Sequence, residues 1–161
     1  MKTFNDLREG VYDPNILKAF FLAGGPGSGK SYVVRRTTGG LGLKIVNSDN
    51  AFEKLLRDAG LSLKMPPEEE EPRDVVRARA KRITKKQQAN YIEGRLGLII
   101  DGTGKDYDKI AKQATELKQL GYDVHMIFVN TSLDTALERN ANRPRSVPEP
   151  LVVKSWKSVQ S

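Results

Sequence analysis

Apolar residues form four short runs along the chain, separated by longer stretches of mixed composition. The runs cover residues 19–23, 43–46, 96–101 and 123–129. Their length and continuity are typical of buried parallel strands. Between the runs, apolar residues recur at helical spacing, as at Phe52, Leu55, Leu56 and Ala59. Strands that alternate with helices predict an α/β protein with a mainly parallel sheet of about four strands and right-handed crossovers.

Two stretches depart from this simple alternation. Residues 61–72 are rich in proline and glutamate, so we predict a flexible insertion or lid edge there. Residues 73–95 predict a long basic helix, and segment 61–95 as a whole is interpreted as a lid or substrate-binding insertion within one domain spanning 1–161. The sequence stops where a fifth strand would begin, so we expect either a minimal core or a piece truncated before that strand.

The amino-acid composition indicates the cellular compartment and the kind of partner to expect. The 161 residues include no cysteine, which excludes structural disulfides and favours a reducing compartment. No run approaches the ~18 apolar residues of a membrane span, and the first residues have no signal-peptide core. We therefore expect a cytoplasmic protein. The net charge of +7 favours phosphate-rich partners.

The first strand leads directly into a phosphate-binding motif. Residues 24–31, GGPGSGKS, match the Walker A pattern of a P-loop, and residues 32–36 can continue as a helix. This order of strand, loop and helix predicts that a nucleotide's phosphates bind the loop residues Gly25, Pro26, Gly27, Ser28, Gly29, Lys30 and Ser31. In this motif the lysine reaches the β- and γ-phosphates and the serine hydroxyl coordinates Mg²⁺. An ordinary glycine-rich turn is the alternative.

The third strand ends in Asp101, the position of a Walker-B-type aspartate that holds Mg²⁺. Gly102 follows it, so the glutamate that activates water in many hydrolytic ATPases is missing. No guanine-recognition motif follows the fourth strand, where Val129-Asn130-Thr131 stands. The pattern favours ATP as a phosphate donor over GTP, and transfer over hydrolysis. Thr103 and Lys105 are candidate acceptor contacts.

Transfer to a hydroxyl needs a base near the phosphates, and Asp49 follows the second strand at the carboxyl edge of the sheet. The alternative is that Asp49 only caps the next helix. Arg139 and Arg143 are four residues apart on a predicted helix and would share a face, which with Arg145 could neutralise charge on the transferred phosphoryl group. A solvated helix that pairs with Glu138 is the alternative.

Four pieces of sequence together resemble the polynucleotide-kinase and zeta-toxin group of P-loop kinases, which includes phage enzymes. They are residues 24–31, residues 47–49, residues 100–103 and an arginine-rich segment within 138–149. The resemblance implies a three-layer α/β/α P-loop kinase-like fold, with Asp49 as the base, Arg139 or Arg143 as the lid arginine, and Asp101 in the metal or acceptor site. Polynucleotide kinases also place an arginine shortly after the base, where this chain has Phe52 and Glu53.

The leading hypothesis is therefore an ATP- and Mg²⁺-dependent kinase. Its acceptor would be a hydroxyl of a nucleic acid, such as a 5′ end, or of a nucleotide-like molecule. Three alternatives stay open: a zeta-toxin-like kinase of a nucleotide sugar, an enzyme like those phage members of the group that modify hydroxymethylated bases in DNA, and a non-catalytic, nucleotide-gated nucleic-acid-binding protein. The basic helix at 73–95 favours an anionic substrate, although a solvated face has the same pattern.

Overall fold

The computed structural model describes residues 13, 15–39, 41–104 and 106–160. Within these residues, four strands alternate with six α-helices: β1 Lys18–Ala23, α1 Lys30–Thr38, β2 Lys44–Val46, α2 Ser48–Asp58, α3 Glu70–Glu93, β3 Leu98–Asp101, α4 Tyr107–Gln119, β4 Asp123–Phe128, α5 Leu133–Ala141 and α6 Glu149–Gln160. A 3₁₀ turn, Pro67–Glu69, precedes α3. The four predicted strands are all present, within two residues of their predicted bounds.

The strands form one parallel sheet in the order β2-β3-β1-β4. Since β1 and β3 are central and parallel, their carboxyl ends lie side by side, with Leu22 opposite Asp101. β2 pairs with β3 so that Val46 lies opposite Ile100, which brings the start of α2 beside Asp101. This order places the P-loop, the end of β3 and the end of β2 along one edge of the sheet.

Helices cover both faces of this sheet. On one face, Ala19, Phe21 and Leu98 pack against Leu117 and Tyr122 at the end of α4. On the other face, Leu22 and Ile99 pack against Val34 of α1. Alternate residues of the same strands thus enter two cores, as the period of a strand requires. The prediction of a three-layer α/β/α fold is confirmed.

Helices α2 and α3 form a second packed unit beside the sheet. Phe52 and Leu56 of α2 meet Ala80 of α3, and Met65 from the connection between the helices is buried with them. The helix α3 begins at Glu70, three residues before the predicted start, because Pro72 lies within its first turn. The segment predicted as a flexible insertion therefore contributes a core side chain and the first turn of a helix; its role as a lid stays a prediction.

The connection from α5 to α6, residues 142–148, is held near its C-terminal end by two hydrogen bonds to Val147. Asn140 is buried near the end of α5. Its Nδ2 donates to the Val147 carbonyl at 2.8 Å and its Oδ1 accepts from the Val147 N–H at 3.0 Å. We call residues 142–148 the α5–α6 linker. Among the helices that the structure describes, none is long and apolar enough to cross a membrane.

Candidate active site

The P-loop connects β1 to α1 and is closely covered by α5. Gly27 and Gly29 have positive φ angles of 80° and 99°. A Cβ at Gly27 would overlap the Ala136 carbonyl of α5, so that position has no room for a side chain. The first turn of α1 contains no acidic residue, and Gly29 provides no capping side chain. The positive end of α1 is thus open to an anion.

The Lys30 side chain is hydrogen-bonded to the backbone of the P-loop. Its Nζ donates to the Gly24 carbonyl at 2.6 Å and to the Gly25 carbonyl at 3.2 Å. Burial lowers the pKa of Lys30, and the negative charges of Asp101 and Asp49 oppose that shift. Residues 26–31 all line the cleft described below, whereas Gly25 is not part of its lining and accepts a hydrogen bond from Lys30. The Ser28 hydroxyl is buried without a hydrogen-bond partner among the described residues.

Asn47 links the Asp101 carboxylate at the end of β3 to the backbone of Asp49 at the start of α2. Its Nδ2 donates to Asp101 Oδ2 at 2.8 Å, and its Oδ1 accepts from the Asp49 N–H at 2.7 Å. Asn47 is therefore the N-cap of α2, and the alternative that Asp49 only caps this helix was wrong. Sequence reasoning missed Asn47 as a site residue, although the preference for asparagine at N-caps could have indicated it.

The Asp49 carboxylate faces the cleft and pairs with Arg145 of the α5–α6 linker. Arg145 Nη2 lies 2.9 Å from Asp49 Oδ2, and the Arg145 side chain is only 6% exposed while that of Asp49 is 50% exposed. Arg145 Nε lies 4.0 Å from Glu53, and its guanidinium carbon is 5.9 Å from the centre of the Phe52 ring. Arg77 contacts the same ring at 4.2 Å. Arg77 and Arg145, which are distant from Asp49 in sequence, thus lie against Phe52. This is the region where polynucleotide kinases have an arginine shortly after the base and this chain has none.

Arg139 and Arg143 both line the cleft, but only Arg139 lies on α5. Arg139 Nη1 donates to the Ser28 carbonyl at 3.4 Å, so this side chain reaches the P-loop. The helix ends at Ala141, which puts Arg143 in the linker. The prediction that the two share one helix face was therefore wrong: the linker turns away to meet Asn140 before another helical turn forms. In the described part of the chain neither arginine pairs with Glu138 or another carboxylate.

These groups surround a single cleft of about 880 Å³, a volume that suits a nucleotide. Its walls come from the P-loop, the start of α2, Lys81 of α3, the end of β3, helix α5 and the linker. Predicted site residues on its surface are Pro26, Gly27, Ser28, Gly29, Lys30, Ser31, Asp49, Asp101, Thr103, Arg139 and Arg143. The predicted acceptor contact Lys105 lies outside the described residues.

The oxygen donors at the cleft suit Mg²⁺, which keeps several non-protein ligands, better than a metal ion whose ligands all come from protein side chains. Burial raises the pKa of Asp101; Lys30 and the Asn47 hydrogen bond oppose this shift, and Asp49 adds to it. A bound cation would stabilise the ionised form of the Asp101 carboxyl group in this site. The described residues contain no cluster of three or more metal-binding side chains. Mg²⁺ normally uses one or two protein oxygens and completes its shell with phosphates and water, which Asp101 and Ser31 could allow.

A family model decides the classification. The zeta toxin model matches residues 13–158. The chain belongs to the zeta toxin family. The resemblance predicted from the four sequence motifs is thereby confirmed. No curated protein sequence matches the chain.

Solved structures share the fold at low sequence identity. A chain of the Pnkp1/Rnl/Hen1 RNA repair complex is 18% identical with a TM-score of 0.67, covering 98% of this chain and 47% of that one. AvrRxo1-ORF1:ORF2 with ATP is 16% identical with a TM-score of 0.72, covering 89% and 47%. The PezAT toxin–antitoxin system of Streptococcus pneumoniae is 18% identical with a TM-score of 0.61, covering 84% and 54%. The chain thus spans about half the length of these structures.

Proposed function

We propose that the chain is an ATP-dependent kinase that phosphorylates a hydroxyl of a nucleic acid or nucleotide-like acceptor. The observation that carries this proposal is the position of Asp49 on the same cleft as Lys30 and Asp101. The charges of both carboxylates act on Lys30, so the candidate base and the phosphate-binding lysine share one electrostatic field. Membership of the zeta toxin family and the ATP-containing neighbour support ATP as the donor.

The residues divide the reaction between them. The P-loop amides and Lys30 would bind the β- and γ-phosphates, while Arg139 and Arg143 would stabilise negative charge on the transferred group. Asp49 would accept the acceptor's hydroxyl proton as the oxygen bonds to the γ-phosphorus. The bond from that phosphorus to the β–γ bridging oxygen then breaks, and ADP leaves. Ser31 and Asp101 would hold Mg²⁺, which neutralises phosphate charge when bound.

A second acceptor class is favoured by the family assignment itself. Zeta-toxin-like enzymes phosphorylate a nucleotide-sugar hydroxyl, and the match to their model covers most of the chain. Incubation with labelled ATP, Mg²⁺ and either 5′-hydroxyl oligonucleotides or nucleotide sugars would identify the acceptor. Label on neither, combined with tight salt-sensitive nucleic-acid binding, would favour the non-catalytic alternative.

The base assignment is tested by Asp49→Asn. We expect ATP affinity to be retained and phosphotransfer to fall at least tenfold, since a positioned base contributes about 10²–10⁴-fold. Single-turnover transfer and fluorescent nucleotide binding measure the two quantities separately. Asp58→Asn, which changes an exposed carboxylate at the end of α2 outside the cleft, is the matched control. A wild-type transfer rate in Asp49→Asn would remove Asp49 from the mechanism.

A further inference from the structure

Helix α3 contains a long stretch in which every charged side chain is basic. Residues 75–92 contain six basic side chains and no acidic one. In α4, by contrast, Asp108 and Glu116 alternate with the lysines of the same helix. A solvated surface helix normally mixes both signs because i,i+4 pairs of opposite charge stabilise it. The α3 pattern therefore needs a reason beyond solubility.

Five of these cations point to solvent and have no counter-charge in the described structure. They are Arg79, Lys81, Arg82, Lys85 and Lys86. Among the described residues, none of the five lies within 4.0 Å of a carboxylate. Lys81 and Lys85, like Arg82 and Lys86, are like charges at i,i+4, and each such pair destabilises a helix by a few tenths of a kcal/mol. An external polyanion would relieve this repulsion.

The basic surface is continuous with the candidate active site. Lys81 lines the same cleft as Asp49. Lys85 follows one turn later on the same side of α3, about 6 Å along the helix axis. On the inner side, Ala80 and Thr84 are buried. A line of positive charge thus leads outwards from the candidate base along α3.

We propose that α3 binds the phosphate backbone of a single-stranded nucleic acid whose terminal hydroxyl enters the cleft beside Asp49. The proposal rests on the kinase function above and specifies its acceptor as a polynucleotide. Regularly repeated cations match regularly repeated phosphates, whereas a nucleotide sugar would be accommodated within the cleft and would not reach Lys86. A lipid surface fits less well, because Ile83, 37% exposed, is the only large apolar side chain exposed between residues 79 and 86.

The test compares two double variants with the same change in charge. Arg82→Glu/Lys86→Glu reverses two cations outside the cleft, and Lys112→Glu/Lys118→Glu does so on α4. Substrates are a 5′-hydroxyl 12-nucleotide oligomer and a dinucleotide. We expect the α3 variant to lose at least tenfold in kcat/KM for the 12-mer and to stay within twofold for the dinucleotide. The α4 variant should match the wild type on both, and circular dichroism verifies that each variant folds.

Binding provides a readout that does not depend on catalysis. For the 12-mer, the slope of log affinity against log salt should fall by up to about 1.4 in Arg82→Gln/Lys86→Gln, at about 0.7 per lost phosphate contact. Salt-sensitive binding that α3 substitutions weaken, without any phosphotransfer, would overturn the kinase function and leave the α3 surface in place. Equal binding by the α3 and α4 variants would overturn the proposal. So would binding only to vesicles of phosphatidylcholine and phosphatidylserine.

Discussion

The ion pair between Arg145 and Asp49 is expected to contribute more to stability than the shorter ion pair between Arg57 and Glu53 on α2. Arg145→Ala should lower the free energy of unfolding by about 2 kcal/mol. Hydrogen bonds to charged groups contribute about 1.5–3 kcal/mol, and breaking a fully buried pair costs about 3–5 kcal/mol. Here the arginine is 6% exposed but the aspartate is 50% exposed, so solvent weakens the interaction on one side.

A double-mutant cycle separates the pair from the rest of the side chain. The ring of Phe52, at 5.9 Å, is near the outer limit of a cation–π contact and adds little. We therefore assign about 1 kcal/mol to the coupling between Arg145 and Asp49 and the remainder to lost packing. Urea unfolding of the wild type, Arg145→Ala, Asp49→Ala and the double variant measures it.

The chain supplies its own control on the same helix. Arg57 and Glu53 of α2 approach to 2.7 Å, closer than Arg145 and Asp49, but their side chains are 61% and 33% exposed. An exposed i,i+4 pair couples by about 0.3–0.5 kcal/mol. Burial, rather than distance, should therefore decide the order of the two couplings. The reasoning fails if the Arg145–Asp49 cycle gives no more than the Arg57–Glu53 cycle.

Three further outcomes follow from the site. Lys30→Ala should weaken nucleotide affinity and turnover together, measured by calorimetry and single-turnover transfer, and wild-type values would contradict the P-loop assignment. In the absence of Mg²⁺ at pH 7–8, Asp101→Asn should raise the unfolding temperature. The reason is that the pKa of Asp101 is raised in the folded state, so ionisation of the wild-type carboxyl group costs stability as pH rises through that pKa. The gain should disappear at pH values below the ordinary 3.8, and a pH-independent gain would exclude this cause. Asn140→Ala should cost about 1–3 kcal/mol in urea unfolding because it leaves both backbone groups of Val147 without their partner, and a loss under 0.5 kcal/mol would show that they find others.

The parts of the site that sequence reasoning found share a local signal. The P-loop is a contiguous motif. Asp49 lies shortly after one apolar run and Asp101 ends another, and both runs end at the same edge of a parallel sheet. Strand order is not needed for that inference, because all parallel strands present their carboxyl ends on the same side. This is why the fold and the location of the cleft were predictable.

The parts that it missed depend on contacts between distant segments. Arg145 was expected to act on the triphosphate, and no local pattern indicates that it pairs with Asp49. Its position follows from where α5 ends and how Asn140 holds the linker. The bond between Asn47 and Asp101 likewise depends on β2 lying next to β3, which the sequence does not specify.

The two hydrogen bonds of Asn47 have a consequence for how the site can diversify. One amide group bonds to the Asp101 carboxylate and to the Asp49 backbone N–H, so it holds the end of β3 against the start of α2. A displacement of either segment would break one of these bonds, so the Asp101 carboxylate and the backbone that carries Asp49 keep their relative position. Helix α3, proposed above as the surface that binds the acceptor, lies outside that unit. Acceptor binding can therefore change during evolution through α3 while the hydrogen-bonded link between β3 and α2 is kept.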